Sequence, residues 1–350
     1  MIRIIILVNK KDIFRKERAN IMGSYHLVGD IGGTKTTLAI TSADGSPRDF
    51  LVKQTFPSKD FKSLEDLVRL FLKGREENFS RASFGIAGPI VNNQVKATNL
   101  PWNISEQNLS EVFNLPVSLI NDLSATAHAV PFLKEDDLIS LYKGNPVQNG
   151  SIAVIAPGTG LGEAFLVWDG TRYRPYPSEG GHSDFAPTDE LQIRLLQYLL
   201  KQYAHISFER LSSGKGLPNI YSFLRDESLV EEPDWLRKQL ENSPDKTPVI
   251  SEAALEGKAE IAIKTMQLFT AILAAETGNL ALKILSNGGI YLGGGIPPKI
   301  LPFLMSDYFL PVLRHKGRFS SFLENVPVHV IKNPETALIG AACYALEKNN

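Results

Sequence analysis

A pattern of strand, glycine–threonine turn and strand occurs once in each half of this chain. In the first half, an apolar run at 26–29 leads into Asp30–Thr36, and a second apolar run follows at 37–40. In the second half, the apolar run at 151–156 leads into the turn Pro157–Gly160, and residues 161–167 form the next strand. The repetition predicts an internal duplication, in which each half presents its turn to a shared cleft.

The first of these turns carries residues that suit an anion and its counter-ion. Gly32 and Gly33 permit the positive φ angles of a two-residue hairpin, and they let backbone N–H groups approach an anion closely. Asp30 lies on one side of the turn, and Thr34 and Lys35 lie on the other. These residues suit a phosphate with its metal ion, and they equally suit an ordinary hairpin with a solvated tip.

Strand-like and helix-like segments alternate along the rest of the chain, which predicts an α/β architecture. Strands are expected near 50–55, 83–87, 117–120 and 289–292. A helix is expected at 63–74, with an apolar face of residues spaced by three or four positions. That face consists of Leu64, Leu67, Val68, Leu70 and Phe71.

The last third of the chain is expected to begin with a mobile surface segment near 227–248, which is charged and contains proline. Ser251 can cap a long helix that runs to about Leu285 and is broken or kinked near Gly278. A final helix is expected from about Pro334, and its small residues permit close packing.

Composition excludes some classes of protein. The chain has 350 residues, 43% of them hydrophobic and 21% charged, as in a soluble enzyme of about two domains. A net charge of -1 gives no field that would attract nucleic acid or an anionic membrane. The single cysteine, Cys343, allows no intrachain disulfide and fits a reducing compartment.

The N-terminal residues 1–24 are expected to be an extension outside the fold. Their apolar run is too short for a signal-peptide core, and basic residues follow it directly. Met22 stands just before the first strand and is an alternative start. A short basic tail is the other interpretation. No later stretch reaches the length of a membrane span.

Asp122 stands where the strand 117–120 ends and where a helix begins near Ser124. The carboxyl ends of strands are where α/β sheets bind ligands, and a carboxylate there can act as a general base. The same position suits the N-cap of a helix, which aspartate occupies well. The residues alone leave both roles open.

The loop Ser178–His182 carries an acid and a base three positions apart, Glu179 and His182. Such a pair can bond the hydroxyls of a polyol, although a plain polar turn would look the same. Structural zinc is disfavoured, because it needs about four ligands, usually cysteine and histidine, and this chain has one cysteine and six scattered histidines. Glu209 can bind a ligand or stabilise the first turn of a helix.

A third glycine turn follows the strand near 289–292 and consists of Gly293, Gly294 and Gly295. Such a turn can hold a flat ligand against bare backbone, or a phosphate at a helix N-terminus. It is not the GxGxxG fingerprint, and the chain contains no GxxxxGK[ST] P-loop. A nucleotide would therefore be bound by a different device.

Taken together, these motifs resemble those of the bacterial-type glucokinases, an ATP-dependent hexokinase family within the superfamily of actin, sugar kinases and heat-shock chaperone ATPases. The resemblance extends from about Tyr25 to the C-terminus, and five motifs occur in the family's order. They are the first phosphate motif Asp30–Thr34, the strand-end pair Asn121–Asp122 that holds the catalytic base, the second phosphate motif Gly158–Gly162, the sugar set Ser178–His182 with Glu209, and the adenosine motif Leu292–Ile296.

The resemblance implies two α/β domains of ribonuclease-H-like fold, as in actin-like ATPases, around a central cleft. The small domain would comprise residues 25–131 and the C-terminal helix at 332–350, and the large domain residues 132–331. The N-terminal extension departs from the family pattern. The zinc-binding cysteine cluster of the related repressor branch is absent from the sequence, which argues against a transcriptional regulator.

The resemblance also implies transfer of the terminal phosphoryl group of MgATP to the 6-hydroxyl of glucose, with Asp122 as general base. It implies a cytoplasmic homodimer that binds glucose and ATP and neither nucleic acid nor membranes. A kinase of another hexose, a non-catalytic sugar sensor and an actin-like filament ATPase are the alternatives. The glucose-binding residues would be Asn121, Asp122, Glu179, His182 and Glu209. The ATP-binding residues would be Asp30, Gly32, Gly33, Thr34, Lys35, Gly158, Thr159, Gly160, Gly293, Gly294 and Gly295, with Asp30 holding Mg²⁺ through water.

Overall fold

The computed structural model describes residues 24–75, 77–97 and 100–348. These residues divide into two compact units, each with its own sheet and hydrophobic core. Unit 1 combines the described residues up to Phe132 with those from Pro334 onward, and unit 2 spans Leu133–Asn333. The expected N-terminal extension lies outside the described residues, apart from Ser24.

Strands and helices alternate along the chain, which confirms the expected mixed α/β fold. Each unit has one large sheet, and unit 1 also has a separate pair of short strands. In chain order, the strands are β1 (Tyr25–Ile31), β2 (Lys35–Ser42), β3 (Phe50–Pro57), β4 (Phe79–Ile86), β5 (Gln94–Lys96), β6 (Asn103–Ser105), β7 (Val117–Asn121), β8 (Leu138–Tyr142), β9 (Ile152–Pro157), β10 (Leu161–Trp168), β11 (Tyr173–Ser178), β12 (Gly289–Leu292) and β13 (Val328–Ile331).

The helices range from single turns to a helix of 25 residues. The α-helices are α1 (Leu64–Leu72), α2 (Glu106–Phe113), α3 (Asp122–Ala129), α4 (Glu190–Leu200), α5 (Leu217–Asp226), α6 (Asp234–Glu241), α7 (Lys246–Leu255), α8 (Glu260–Ile284), α9 (Leu301–Leu304), α10 (Leu310–Arg314), α11 (Ser320–Leu323) and α12 (Thr336–Glu347). Short 3₁₀ helices lie at Ser58–Asp60, Val130–Phe132, Glu135–Asp137, Gly180–His182, Phe208–Arg210, Pro297–Lys299 and Gly317–Phe319. No helix among the described residues combines the length and the apolarity that crossing a bilayer requires.

The sheet of unit 1 has the strand order β3-β2-β1-β4-β7. Strands β3, β2 and β1 are antiparallel neighbours, and β1, β4 and β7 run parallel to one another. The first hairpin is therefore present, but its turn differs from the expectation, because neither Gly32 nor Gly33 has a positive φ. Three residues connect β1 to β2, and the Gly32 N–H donates to the Lys35 carbonyl at 3.1 Å, so the primed two-residue turn is not needed.

Helices cover both faces of this sheet, because side chains alternate between its faces along each strand. Leu27 and Leu38 belong to the core that also holds the buried residues of α1 and α2. Val28 and Ala39 point to the opposite face, where they pack with α12. There α12 also packs against α3, and glycine is required at the crossing: a Cβ on Gly340 would lie 1.7 Å from the carbonyl oxygen of Ala125.

The sheet of unit 2 has the order β11-β10-β9-β12-β13-β8. Strands β11, β10 and β9 are antiparallel neighbours, and β9, β12 and β13 are parallel. These five strands repeat the order and the directions of the five strands in unit 1. The long helix α8 crosses the core of unit 2, and most of its residues are buried.

Two expectations for the segment 227–260 are wrong. The charged stretch at 227–248 contains α6 and the start of α7, because Leu236 and Leu240 anchor α6 in the core. Asp245 caps α7 by accepting the Thr247 N–H at 3.0 Å. Ser251 lies inside α7 and caps nothing, and the long helix α8 begins only at Glu260.

One apolar residue of α1 was assigned to the wrong face. Leu64, Leu67, Val68 and Phe71 are buried as expected, whereas Leu70 is 51% exposed. The buried residues follow the spacing i, i+3, i+4 and i+7 of a helix stripe, and position 70 falls outside that spacing.

Candidate active site

Asp30 and Asp122 lie at the same edge of the unit 1 sheet. Strands β1, β4 and β7 are parallel, so their carboxyl ends meet at this edge, which we call the carboxyl edge of unit 1. Asp30 pairs with Gly85 of β4, and Gly85 pairs with Ile120 of β7. Two strand spacings, about 10 Å, therefore separate the backbone of Asp30 from that of Ile120, which lies two residues before Asp122. The structure brings together two residues that are more than ninety positions apart in sequence.

The two carboxyl groups at this edge hold their protons more tightly than usual. Burial raises the pKa of Asp30 to about 6, and the nearby charge of Asp122 adds to the effect, while Lys35 opposes it. Burial also raises the pKa of Asp122, although its residue is solvent-exposed, and hydrogen bonds from Leu123 and Asn121 act in the opposite direction. A carboxylate with a raised pKa is a better proton acceptor than an ordinary aspartate.

Asn121, and not Asp122, is the N-cap of α3. The Asn121 Oδ1 accepts the Leu123 N–H at 2.9 Å and the Ser124 N–H at 3.4 Å, and its Nδ2 donates to the Gly88 carbonyl at 3.1 Å. The helix consequently begins at Asp122, two residues earlier than expected. Of the two roles left open for Asp122, the capping role belongs to its neighbour.

A residue that the sequence reasoning missed supports the first glycine turn. Ser58 is fully buried, and its hydroxyl donates to the Gly32 carbonyl at 2.7 Å. Its N–H donates to the Thr34 carbonyl at 3.0 Å, and its hydroxyl also lies 2.9 Å from that of Thr36. A single serine after a strand carries no sequence signal for this role, because its partners are more than twenty residues away. At the tip, Thr34 and Lys35 are exposed.

The two glycine turns of unit 2 lie side by side. Strands β9 and β12 are parallel neighbours, so the turn Pro157–Gly160 and the turn Gly293–Gly295 leave the sheet at one edge, the carboxyl edge of unit 2. The Ile296 N–H donates to the Pro157 carbonyl at 3.3 Å. Gly294 has a φ of +80°, and a Cβ there would lie 2.6 Å from the Pro157 oxygen, so only glycine fits.

The turn Pro157–Gly160 also has a support that the sequence did not reveal. The Gly158 N–H donates to the Gly160 carbonyl at 2.8 Å, which closes the turn and leaves Thr159 exposed at its tip. The Gly214 N–H donates to the Gly158 carbonyl at 2.8 Å, and the Thr247 hydroxyl donates to the Gly214 carbonyl. The turn is thus held from the loop before α5 and from the start of α7.

Three residues of the predicted sugar set lie close together: Glu179, His182 and Glu209. The His182 Nε2 lies 4.0 Å from Glu179 Oε2, and its Nδ1 lies 4.0 Å from Glu209 Oε1. The side chain of Glu179 is 94% exposed and that of Glu209 is 32% exposed. Glu209 lies in the first turn of a 3₁₀ helix, yet its Oε2 accepts the Leu161 N–H of β10 at 2.9 Å. That bond joins the predicted sugar set to the turn Pro157–Gly160. A Cβ on Gly160 would lie 2.4 Å from Glu209 Oε2, so a larger residue there would force the Glu209 carboxylate to move.

The described residues contain no group of three or more histidine, cysteine, aspartate or glutamate side chains that could hold a metal ion. The oxygen donors at the carboxyl edge of unit 1 nevertheless fit Mg²⁺. That ion keeps several waters and takes one or two carboxylates together with substrate phosphates. A cation beside Asp30 would also offset the repulsion from Asp122, which adds to the effect of burial on the pKa of Asp30.

Solved structures that resemble this chain include glucokinases. The glucokinase from an Antarctic psychrotroph is 32% identical to this chain, with a TM-score of 0.80, and the match covers 93% of this chain and 99% of that one. A ROK family glucokinase from Streptomyces griseus, in complex with glucose and AMPPNP, is 19% identical with a TM-score of 0.57 and covers 92% and 99%. The second match shows the fold alone.

The sequence comparisons then define the family. The Glucokinase family model matches residues 27–348. The Glucokinase from Trichormus variabilis is 42% identical over 335 residues, which cover 91% of this chain and 98% of that relative. The Glucokinase from Cronobacter sakazakii is 36% identical over 325 residues. The chain belongs to the glucokinase family, as its motifs predicted.

Proposed function

We propose that this protein transfers the terminal phosphoryl group of MgATP to the 6-hydroxyl of glucose. Membership of the glucokinase family supplies the reaction. The observation that carries the assignment of the site is Asp122, an exposed carboxylate with a raised pKa at the end of a parallel strand. Because Asn121 caps the helix, Asp122 is placed at the first helical position without having to serve as the cap.

In the proposed reaction, Asp122 accepts the proton of the glucose 6-hydroxyl as its oxygen attacks the terminal phosphorus. Phosphoryl transfer requires mainly positioning and stabilisation of charge from a protein. A general base contributes best when its pKa approaches the working pH. The raised pKa of Asp122 supports this role.

The ATP-binding residues of the proposal lie in the three glycine turns. Asp30 would hold Mg²⁺ through water, and that ion would offset the charge on the phosphates when bound. Lys35 would add positive charge beside them. The closeness of the second and third turns supports a single nucleotide site along the carboxyl edge of unit 2. The full set is Asp30, Gly32, Gly33, Thr34, Lys35, Gly158, Thr159, Gly160, Gly293, Gly294 and Gly295.

For glucose we propose Asn121, Asp122, Glu179, His182 and Glu209. A neutral histidine can donate one hydrogen bond and accept another, and glutamates accept bonds from hydroxyls. Such a site rejects an epimer strongly, because a misplaced hydroxyl leaves polar groups unpaired. The clustering of Glu179 and Glu209 around His182 supports this assignment. The Asn121 amide hydrogen-bonds the Asp122 carboxylate, which keeps Asn121 beside the proposed base.

The finer description of the fold is also a proposal. The shared order and direction of five strands in each unit support two ribonuclease-H-like domains that arose by duplication. We place the small domain at 25–131 with the C-terminal helix region 332–350, and the large domain at 132–331. The family resemblance further supports a cytoplasmic homodimer, and light scattering of the purified protein would test the dimer.

Replacing Glu179 with glutamine is expected to raise KM for glucose by about tenfold, because a hydrogen bond to a charged acceptor is weakened. KM for ATP should change much less. The matched control is Glu190→Gln, an exposed acid in the first turn of α4 outside the site. Steady-state kinetics with each substrate varied in turn would measure both constants. A larger rise in KM for ATP than for glucose would place this loop at the nucleotide instead.

The reaction itself is tested by phosphorylation of a panel of hexoses with ATP, followed through coupled ADP release. We expect turnover with glucose to exceed turnover with fructose, mannose and N-acetylated amino sugars. Preference for one of those would make the protein a kinase of another hexose. Sugar binding without turnover would indicate a sensor, and ATP hydrolysis that ignores sugar would indicate a filament-type ATPase.

A further inference from the structure

Glu163 is a buried carboxyl group directly beneath the predicted sugar-binding turn. It lies on β10, where it pairs with Ile155 of β9 and with Ser178, the last residue of β11. The residue is 1% exposed, and neither carboxyl oxygen forms a hydrogen bond of standard geometry with the described residues. A buried acid without such partners carries a large cost unless it stays neutral.

The surroundings of Glu163 favour the neutral form. Glu276 of α8 is fully buried and close enough to repel Glu163 and to share its proton, while Lys283 acts more weakly in the opposite direction. Glu276 itself accepts from Asn279 Nδ2 at 2.8 Å and lies 3.4 Å from Lys283 Nζ. Burial and the charge of Glu276 together raise the pKa of Glu163 to about 8. Burial raises the pKa of Glu276 as well, but the hydrogen bonds from Asn279 and Lys283 and the charges of Lys283 and Lys316 oppose that rise. We therefore assign the proton at neutral pH to Glu163 and the acceptor role to Glu276.

One further cation faces this pair. Lys316, in the segment after α10, donates to Asn279 Oδ1 at 2.6 Å and to the Ala275 carbonyl at 3.0 Å, and its charge acts on Glu276. The residues that pair with Glu163 across β9 and β11 are uncharged. The positive charges thus act mainly on Glu276, which leaves Glu163 as the member of the pair that keeps the proton.

The carboxyl group of Glu163 is in contact with the backbone of the turn. A Cβ on Gly180 would lie 2.0 Å from Glu163 Oε2, so the glycine rests directly on the acid. Gly180 donates its N–H to the Ser178 hydroxyl at 3.0 Å, and the His182 N–H donates to the Glu179 carbonyl at 2.9 Å. These bonds link the residues of the short turn to one another, so a shift at Gly180 would carry Glu179 and His182 with it.

We propose that Glu163 is a positioning residue for the sugar-binding turn: its carboxyl group supports Gly180 from below and so sets the places of Glu179 and His182. The inference rests on the proposed function, because it assigns a consequence for glucose binding. Loss of the side chain would leave space beneath Gly180. Ionisation would place a second negative charge beside Glu276 and push the turn away from its support.

The first experiment compares Glu163→Ala with Glu163→Gln. The alanine variant should raise KM for glucose between about 10-fold and 100-fold, the cost of a small misplacement of binding groups, with little change in KM for ATP. Glutamine keeps the volume and can donate an N–H to Glu276, so it should restore KM for glucose to within about twofold of the wild type. Leu240→Ala, a buried change in α6 away from the turn, controls for loss of stability alone.

The second experiment measures pH dependence. Wild-type KM for glucose should rise several-fold between about pH 7 and pH 9 as Glu163 ionises, and Glu163→Gln should lack that rise. Stability gives a readout without catalysis. The folded state keeps the proton up to about pH 8, whereas the unfolded chain releases it near 4.5, so wild-type stability should fall across that window relative to Glu163→Gln.

The outcomes separate the two claims. A wild-type protein that does not phosphorylate glucose would overturn the proposed function, and this inference with it. If the wild type is active, the inference alone would be overturned by an unchanged KM for glucose in Glu163→Ala, or by a rise in Glu163→Gln as large as that in Glu163→Ala. The same pH profile of KM for glucose in the wild type and in Glu163→Gln would also overturn it. If Leu240→Ala raised KM for glucose as much as Glu163→Ala did, the effect would reflect lost stability alone, and the inference would again be overturned.

Discussion

Asp122→Asn is expected to lower kcat for glucose phosphorylation by about 10²–10⁴, the range for loss of a general base. Asparagine has nearly the same shape and can still accept the Leu123 N–H, which Asp122 Oδ1 accepts at 2.9 Å. The helix keeps its cap, because Asn121 provides it. The fold should therefore survive while the proton acceptor is lost. Initial rates at saturating glucose and ATP, together with thermal unfolding, would measure the two effects separately.

Asp234→Asn is the matched control for this change. Asp234 is also the first residue of a helix, α6, and it is exposed and pairs with Arg237. Its substitution should leave kcat near the wild-type value. If Asp122→Asn turned over glucose as fast as the control does, Asp122 would not be the base, and its raised pKa would need another explanation.

Gly340→Ala is expected to destabilise unit 1 by about 3 kcal/mol or more, at or above the upper end of the usual cost of overpacking. Alanine normally stabilises a helix relative to glycine. Here its Cβ would lie 1.7 Å from the Ala125 carbonyl oxygen, and the obstacle is backbone that cannot rotate away. Because Ala125 belongs to α3, the displaced helix is the one that begins at Asp122, so activity should fall as well.

Hydrogen exchange would locate this effect, since the loss of protection should concentrate in α3, α12 and the unit 1 sheet. Urea unfolding would give its size. Gly45→Ala is the control: it lies in an exposed turn after β2, and the nearest atoms to its Cβ would all belong to Ser42, the closest at 3.1 Å. That change should cost less than about 1 kcal/mol. Equal stability of the two variants would show that α3 and α12 can separate without cost.

The glycine turns could be predicted from sequence because their signals are local. A strand, two or three small residues and a second strand stand next to each other in the chain, and both hairpins form, although the turn of the first differs from the expected type. Asp122 was found for the same reason, at the visible end of an apolar strand. Leu70 shows where a local pattern is too coarse, because apolar character alone does not place a residue on the buried stripe of its helix.

The supports of the site could not be predicted, because their partners are distant in the chain. Ser58 reaches back to Gly32, and Glu163 depends on Glu276 of a helix more than a hundred residues later. A charged and proline-bearing composition suggested a mobile segment at 227–248. Two buried leucines and one capping aspartate were enough to make it helical. Tertiary packing outweighed local composition there.

The closing helix α12 has a consequence for how the protein is made. Unit 2 is continuous in the chain, whereas unit 1 needs residues from both ends. During synthesis, the ribosome releases β1 to α3 long before α12, so α3 and one face of the unit 1 sheet stay uncovered while all of unit 2 emerges. Unit 2 can therefore fold before unit 1 is complete. The helix α3, which carries Asp122, gains its packing partner α12 only when the C-terminal residues leave the exit tunnel.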